Sequence, residues 1–290
     1  MVKISSFFIG INHTYFFIKY RLDAHKMVTK TDYFTFNLHF TALIFELIAF
    51  LSVFLIAIVI FQKWRARRTV ATLYLSIALF SISFAALFVF SGLASWFFSW
   101  IAGGYSPTTT SPTYYEISLP LGYATVILYD IFIVLFAIEI FFNKNIKKVI
   151  PFVIAGVVIA ILLFLPTNYW GVNPVLTDPA STRIIATGLF LLYNAIICIL
   201  LSYFAFRESS RTEQKEYRVG FQAIAFGFIA NLMVFVFFLL DSVLIMLNPT
   251  SPGYSVFISI GWIMAFITAF LFYLGYILPA WFRKWFEKKS

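Results

Sequence analysis

The stretch Ile117–Phe142, ISLPLGYATVILYDIFIVLFAIEIFF, decides the fold. It is apolar for long enough to cross a bilayer as a helix, and at ~1.5 Å per residue it measures roughly 39 Å. Two carboxylates interrupt it, Asp130 near the middle and Glu139 towards the end. A carboxylate at mid-membrane costs about 2.5–3.5 kcal/mol on insertion scales, so Asp130 is expected to face protein or water rather than lipid. One helix cannot bury that group alone; the remainder of the chain must surround it.

Composition agrees. A chain that is 62% hydrophobic, 21% aromatic and 11% charged lies far from the profile of a soluble domain. Its 290 residues suit one membrane unit without a second folded domain. The formal charge of +9 sits in short basic clusters beside apolar runs, a pattern that fits anionic lipid headgroups and topology signals. Membrane lipids are therefore the expected partners, and nucleic acid is not. The single cysteine, Cys198, lies within an apolar run, which rules out a disulfide inside the chain and predicts a small buried core residue.

Seven apolar runs are expected to form transmembrane helices: 38–62, 70–101, 117–142, 149–166, 184–206, 219–247 and 255–282. Each meets the ~18–25 residue requirement, the fourth only just, between Pro151 and Pro166. The predicted fold is an all-α bundle of seven transmembrane helices. Residues 1–37 form an extracytoplasmic or interfacial segment, 38–283 the membrane domain and 284–290 a basic cytoplasmic tail. Met27 is an alternative start that would remove most of the upstream segment. Asn12-His-Thr is a glycosylation sequon, a common chance triplet.

The links alternate in charge. Lys63–Arg68, Asn143–Lys148, Arg207–Arg218 and the ending 283–290 hold 15 of the 21 Lys and Arg. The links 102–116, 167–183 and 248–253 hold only Arg183, which reads as an interfacial anchor. The positive-inside rule makes the first set cytoplasmic, so the N-terminus is outside and the C-terminus inside. Five basic residues before Thr31 are the contrary signal. Tyr105, Tyr114, Tyr115, Tyr169 and Trp170 either form an interfacial belt or line an outward mouth.

Few polar groups lie at depth. They are Glu46 in the first run, Asp130 in the third, Asn194 in the fifth, and Asn231 and Asp241 in the sixth. Tyr123, seven residues before Asp130, shares its helix face. Small-residue stripes, Ala223-Gly227-Asn231 and Gly261-Ala265-Ala269, mark buried faces. The pattern predicts an interior cluster of Asp130, Asn194 and Asn231, which either hydrogen-bonds helices together or forms a ligand pocket or ion-responsive switch. Glu46 and Asp241 border a cavity or reach the interface, and Glu139 is placed to pair with the 144–148 basic cluster. On the cytoplasmic side Arg207, Arg211, Lys215 and Arg218 are the expected partner-facing residues.

Missing motifs exclude several classes. No run contains a lysine for a retinal Schiff base, and no phosphate loop, zinc spacing or nucleophile with a His partner appears. His13, His25 and His39 all lie in the first 39 residues, so neither a metal nor any other cofactor is expected. Catalytic residues cannot be placed, and an enzyme is not expected. The third run ends Glu139-Ile-Phe and the last has Tyr276-Ile-Leu-Pro279, unlike the motifs of class A G-protein-coupled receptors. No internal repeat of the transporter kind is visible.

Arg211-x-x-Gln214-x-x-x-Arg218-x-Gly220, leading into Ala223, Gly227 and Asn231, resembles the basic loop and sixth helix of the seven-helix N-terminal region of prokaryotic histidine kinases. The ending Tyr273-Leu-Gly-Tyr276-Ile-Leu-Pro279-x-Trp-Phe-Arg283 is similar to the end of that region's seventh helix, where the signalling linker begins. The resemblance spans residues 38–283 and implies a sensor in the plasma membrane. With the chain ending at Ser290, it implies a stand-alone module acting through a cytoplasmic signalling partner. The expected function is a receptor-like sensor for a small or lipid-borne ligand held in a polar mid-membrane pocket. A small-solute or ion transporter or channel is the alternative, and a structural or accessory membrane subunit the third. No feature sets an oligomeric state.

Overall fold

The structure is a computed structural model that describes residues 30–101, 113–142, 146–165, 180–247 and 255–282. Among the described residues seven α-helices follow one another: α1 (Lys30–Arg67), α2 (Val70–Ile101), α3 (Thr113–Phe141), α4 (Ile150–Phe164), α5 (Ala180–Arg211), α6 (Lys215–Leu247) and α7 (Val256–Ile277). A short 3-10 turn, Ile146–Lys148, leads into α4, and no strand occurs among the described residues. Six of the helices, all but α4, are long and apolar enough to cross a membrane. The protein is an all-α, multi-pass membrane protein. The chain divides into Met1–His39, of which only the opening of α1 is described, and Phe40–Ser290, which holds everything that follows.

The upstream segment before Lys30, with Asn12, His13 and His25, lies outside the described residues, as do Tyr105, Lys144, Tyr169, Trp170 and the tail 284–290. The side chains of Tyr114, Tyr115 and Arg183 lie outside them too.

Helix contacts explain the order of packing. The tightest seams join α2 to α3, α6 to α7 and α5 to α6. The α6–α7 seam is antiparallel and built on glycine. A Cβ on Gly275 would stand 2.6 Å from the Gly220 carbonyl oxygen, and one on Gly227 would meet the Phe272 ring at 2.9 Å. The stripes Ala223-Gly227-Asn231 and Gly261-Ala265-Ala269 are both buried, as small residues at close crossings require. Against α2, a Cβ on Gly122 of α3 would meet the Val89 side chain at 2.9 Å. α1 reaches α2 through rings instead, Phe54 lying edge-on to Phe80 at 5.5 Å.

Three features differ from the sequence expectation. α4 is 15 residues long, about 22 Å, short of the ~30 Å hydrocarbon core. Pro151 sits in its first turn and Leu165, ahead of Pro166, is already extended. α7 ends at Ile277 rather than continuing to residue 282, because Leu278 turns left-handed (φ 49°) ahead of Pro279 and donates its N–H to the Leu274 carbonyl at 3.1 Å. The charged segment 207–218 is not an open loop: α5 runs to Arg211 and α6 begins at Lys215.

The basic links gather at one end of the bundle. There Thr72 at the start of α2 hydrogen-bonds the Tyr276 hydroxyl near the end of α7 at 2.6 Å. Phe141 packs on Phe221 at 6.0 Å, and Phe142 packs edge-on against Phe204 at 4.5 Å. Arg68 covers the Trp64 ring and Lys148 the Phe142 ring, at 5.2 and 4.6 Å.

Candidate functional site

Registers between helices place the polar groups. Tyr123 of α3 stacks near Phe190 of α5, ring centroids 4.8 Å apart. The two helices run in parallel, so seven or eight residues further on Asp130 comes level with Cys198. The Asp130 carboxyl indeed lies within electrostatic range of the Cys198 thiol and of the Tyr193 hydroxyl. From α6, Asn231 donates its side-chain N–H to Cys198 Sγ at 3.2 Å. Asn194, one turn before Cys198, donates to the Phe190 carbonyl at 2.9 Å. Asp130 and Cys198 sit at the centres of the candidate spans Ile117–Phe141 and Ala186–Arg211.

Cys198 is the side chain around which the cluster assembles, whereas its place in an apolar run predicts only a core residue. Its thiol links α5 to Asn231, and Tyr129 also lies within its electrostatic range. Nothing in a lone cysteine announces this; the one signal was its i, i+4 spacing from Asn194.

All members are deeply buried: Asp130 and Asn194 at 0% exposure, Asn231 and Cys198 at 1%. Both carboxylate oxygens of Asp130, the amide oxygens of Asn194 and Asn231, and the Tyr129 hydroxyl make no hydrogen bond among the described residues. Buried acceptors in that state are rare and costly, about 1–3 kcal/mol each. Their concentration within about one helical turn of depth marks the place.

The other candidates fall elsewhere. Glu46 of α1 accepts a 3.3 Å hydrogen bond from the Trp262 indole N–H of α7, while its second oxygen has no protein partner. Asp241, towards the C-terminal end of α6, accepts the Ser255 backbone N–H at 2.7 Å, and Ser255 Oγ in turn accepts from Phe257 N at 3.2 Å. Asp241 thereby fastens the start of α7, a capping arrangement. Arg207, Arg211, Lys215 and Arg218 are exposed on the α5–α6 hairpin. That hairpin is ordered by an Arg211–Glu208 ion pair at 3.6 Å, by Arg218 Nε donating to the Thr212 carbonyl at 3.2 Å, and by Ser209 donating to the Arg218 carbonyl at 3.1 Å. Among the described residues no three His, Cys, Asp or Glu side chains group as metal ligands.

A cleft of about 300 Å³ opens between α5 and α6. Its rim carries Ile199 and Tyr203, 57% and 60% exposed, and its floor is Cys198, Ser202 and Phe228. Ser202 is occupied, donating to the Ala225 carbonyl at 3.2 Å. The cleft leads from the lipid-facing surface to the thiol that Asn231 holds. No family model, curated protein or solved structure matches the chain.

Proposed function

We propose that the protein is a receptor-like sensor of the plasma membrane, with seven crossings, its N-terminus outside and its C-terminus cytoplasmic. The single observation that carries the sensor reading is the α5–α6 cleft, whose floor, Cys198, is hydrogen-bonded to Asn231 and lies within electrostatic range of Asp130. A cleft of this volume sits at the lower end of small-molecule pockets, and its apolar rim suits a ligand arriving from the lipid phase. Occupancy would bias the packing of α6 against α5, and the exposed basic hairpin 207–218 at the end of those same helices would carry the change to a cytoplasmic partner. The likeness of the α6 and α7 motifs to prokaryotic histidine-kinase sensor regions points the same way.

Two observations favour α4 as the seventh crossing. It runs antiparallel along α3, with Gly156 against Ile127 and Lys148 over Phe142, and its apolar face from Ile150 to Ile161 is exposed. If α4 turned back, Arg207–Arg218 would lie opposite the basic links 63–68 and 143–148, against the positive-inside rule. A short span is accommodated by local thinning of the bilayer.

The test couples cleft to hairpin. A cysteine at Arg211 is expected to crosslink a cytoplasmic protein in native membranes, and Ile229→Trp, which fills the cleft, to change that yield by about fivefold or more. Solute flux through the purified protein in liposomes would instead make it a transporter. Neither flux nor a partner would leave the accessory-subunit reading.

A further inference from the structure

We infer that the centre of the bundle binds one monovalent alkali-metal cation, held by the Asp130 carboxylate and the side-chain amide oxygens of Asn194 and Asn231. The inference rests on the same interior cluster as the sensor reading, but not on any coupling to a partner.

The chemistry of the orphaned atoms carries it. Both amides have already committed an N–H, Asn194 to the Phe190 carbonyl and Asn231 to Cys198, and the oxygen of each is left without a partner. With the two Asp130 oxygens and the Tyr129 hydroxyl, every unpartnered atom at this level is an oxygen. Hard oxygen donors of carboxylate and carbonyl type suit hard cations. The one soft atom, Cys198 Sγ, is already taken by Asn231.

Charge then selects the ion. The cluster has one carboxylate, and every Lys and Arg of the chain lies at the end of a candidate span or outside it. A buried carboxyl without a cationic side chain is neutralised by a proton or by a bound cation. A monovalent ion balances it, whereas a divalent ion would leave an excess positive charge in the same apolar surroundings. A proton on Asp130 would supply a single O–H donor and so satisfy at most one of the two amide oxygens, whereas a cation can contact both together with the carboxylate.

The purified full chain in detergent is melted in sodium, potassium and choline chloride at equal ionic strength, followed by tryptophan fluorescence. One alkali chloride is expected to raise Tm over choline by about 4 °C or more, saturably with concentration. Asp130→Asn should abolish the rise, Asn194→Ala or Asn231→Ala should shift half-saturation upwards about tenfold, and Glu46→Gln should leave it intact. Should Asp130→Asn not fold, the wild-type titration and the two asparagine variants decide. Equal Tm in all three salts overturns the site, as does a rise that survives Asp130→Asn or vanishes with Glu46→Gln. A cation effect without crosslink coupling keeps this site and removes the sensor reading; coupling without a cation effect does the reverse.

Discussion

Asp130 and Glu46 are both carboxyl groups shut away from solvent, yet they do different things. Glu46 has a donor, the Trp262 indole, which ties α1 to α7 while the Phe238 ring packs edge-on against the same tryptophan at 5.2 Å. Removing that donor with Trp262→Phe keeps the ring packing and should destabilise the protein by about 1–3 kcal/mol. Combined with Glu46→Leu, which removes the acceptor, the two losses should be non-additive by at least ~0.5 kcal/mol in a thermal-melting cycle. Additive losses would mean that the pair does not interact. Asp130 has no donor among the described residues, and its surroundings are legible in the sequence only in part. Depth placed Asp130, Asn194 and Asn231 together because intramembrane polar residues are few. Cys198 and Tyr129, which complete the cluster, could not be distinguished from ordinary core residues until the helix registers were known. Asp241 reads in the sequence as another buried carboxylate, whereas its partner, the Ser255 backbone, lies across a chain reversal that composition does not reveal.

At the scale of elements, the helices were legible because their apolar runs are long, and their ends were not. α1 begins at Lys30 and α6 at Lys215, in polar sequence, since a helix continues for as long as its backbone bonds are met. Proline set the other ends, shortening α4 and stopping α7 at Ile277. Glycine decides how close the helices come. Gly275→Ala should cost about 1–3 kcal/mol, because the new methyl meets the Gly220 backbone carbonyl and not a flexible side chain. Gly188→Ala on α5 has nothing within 4 Å and should be neutral or stabilising by up to ~1 kcal/mol. Melting temperatures of the two variants in one detergent check the contrast; an equal loss in both would show that the α6–α7 crossing is not governed by backbone approach.

For the molecule as a whole, basic residues at one end and a polar cluster midway between the ends define a direction. The hairpin 207–218, proposed to meet a partner, lies on the cytoplasmic side only if all seven helices cross. The 15-residue α4 is the element on which that depends. Single cysteines at Thr109, Asn168 and Ser210, labelled in intact cells with a membrane-impermeant maleimide, test it most directly. Positions 109 and 168 should label from outside, and position 210 only after permeabilisation. Labelling of Ser210→Cys in intact cells, or Thr109→Cys and Asn168→Cys on opposite sides, would contradict the seven-crossing arrangement.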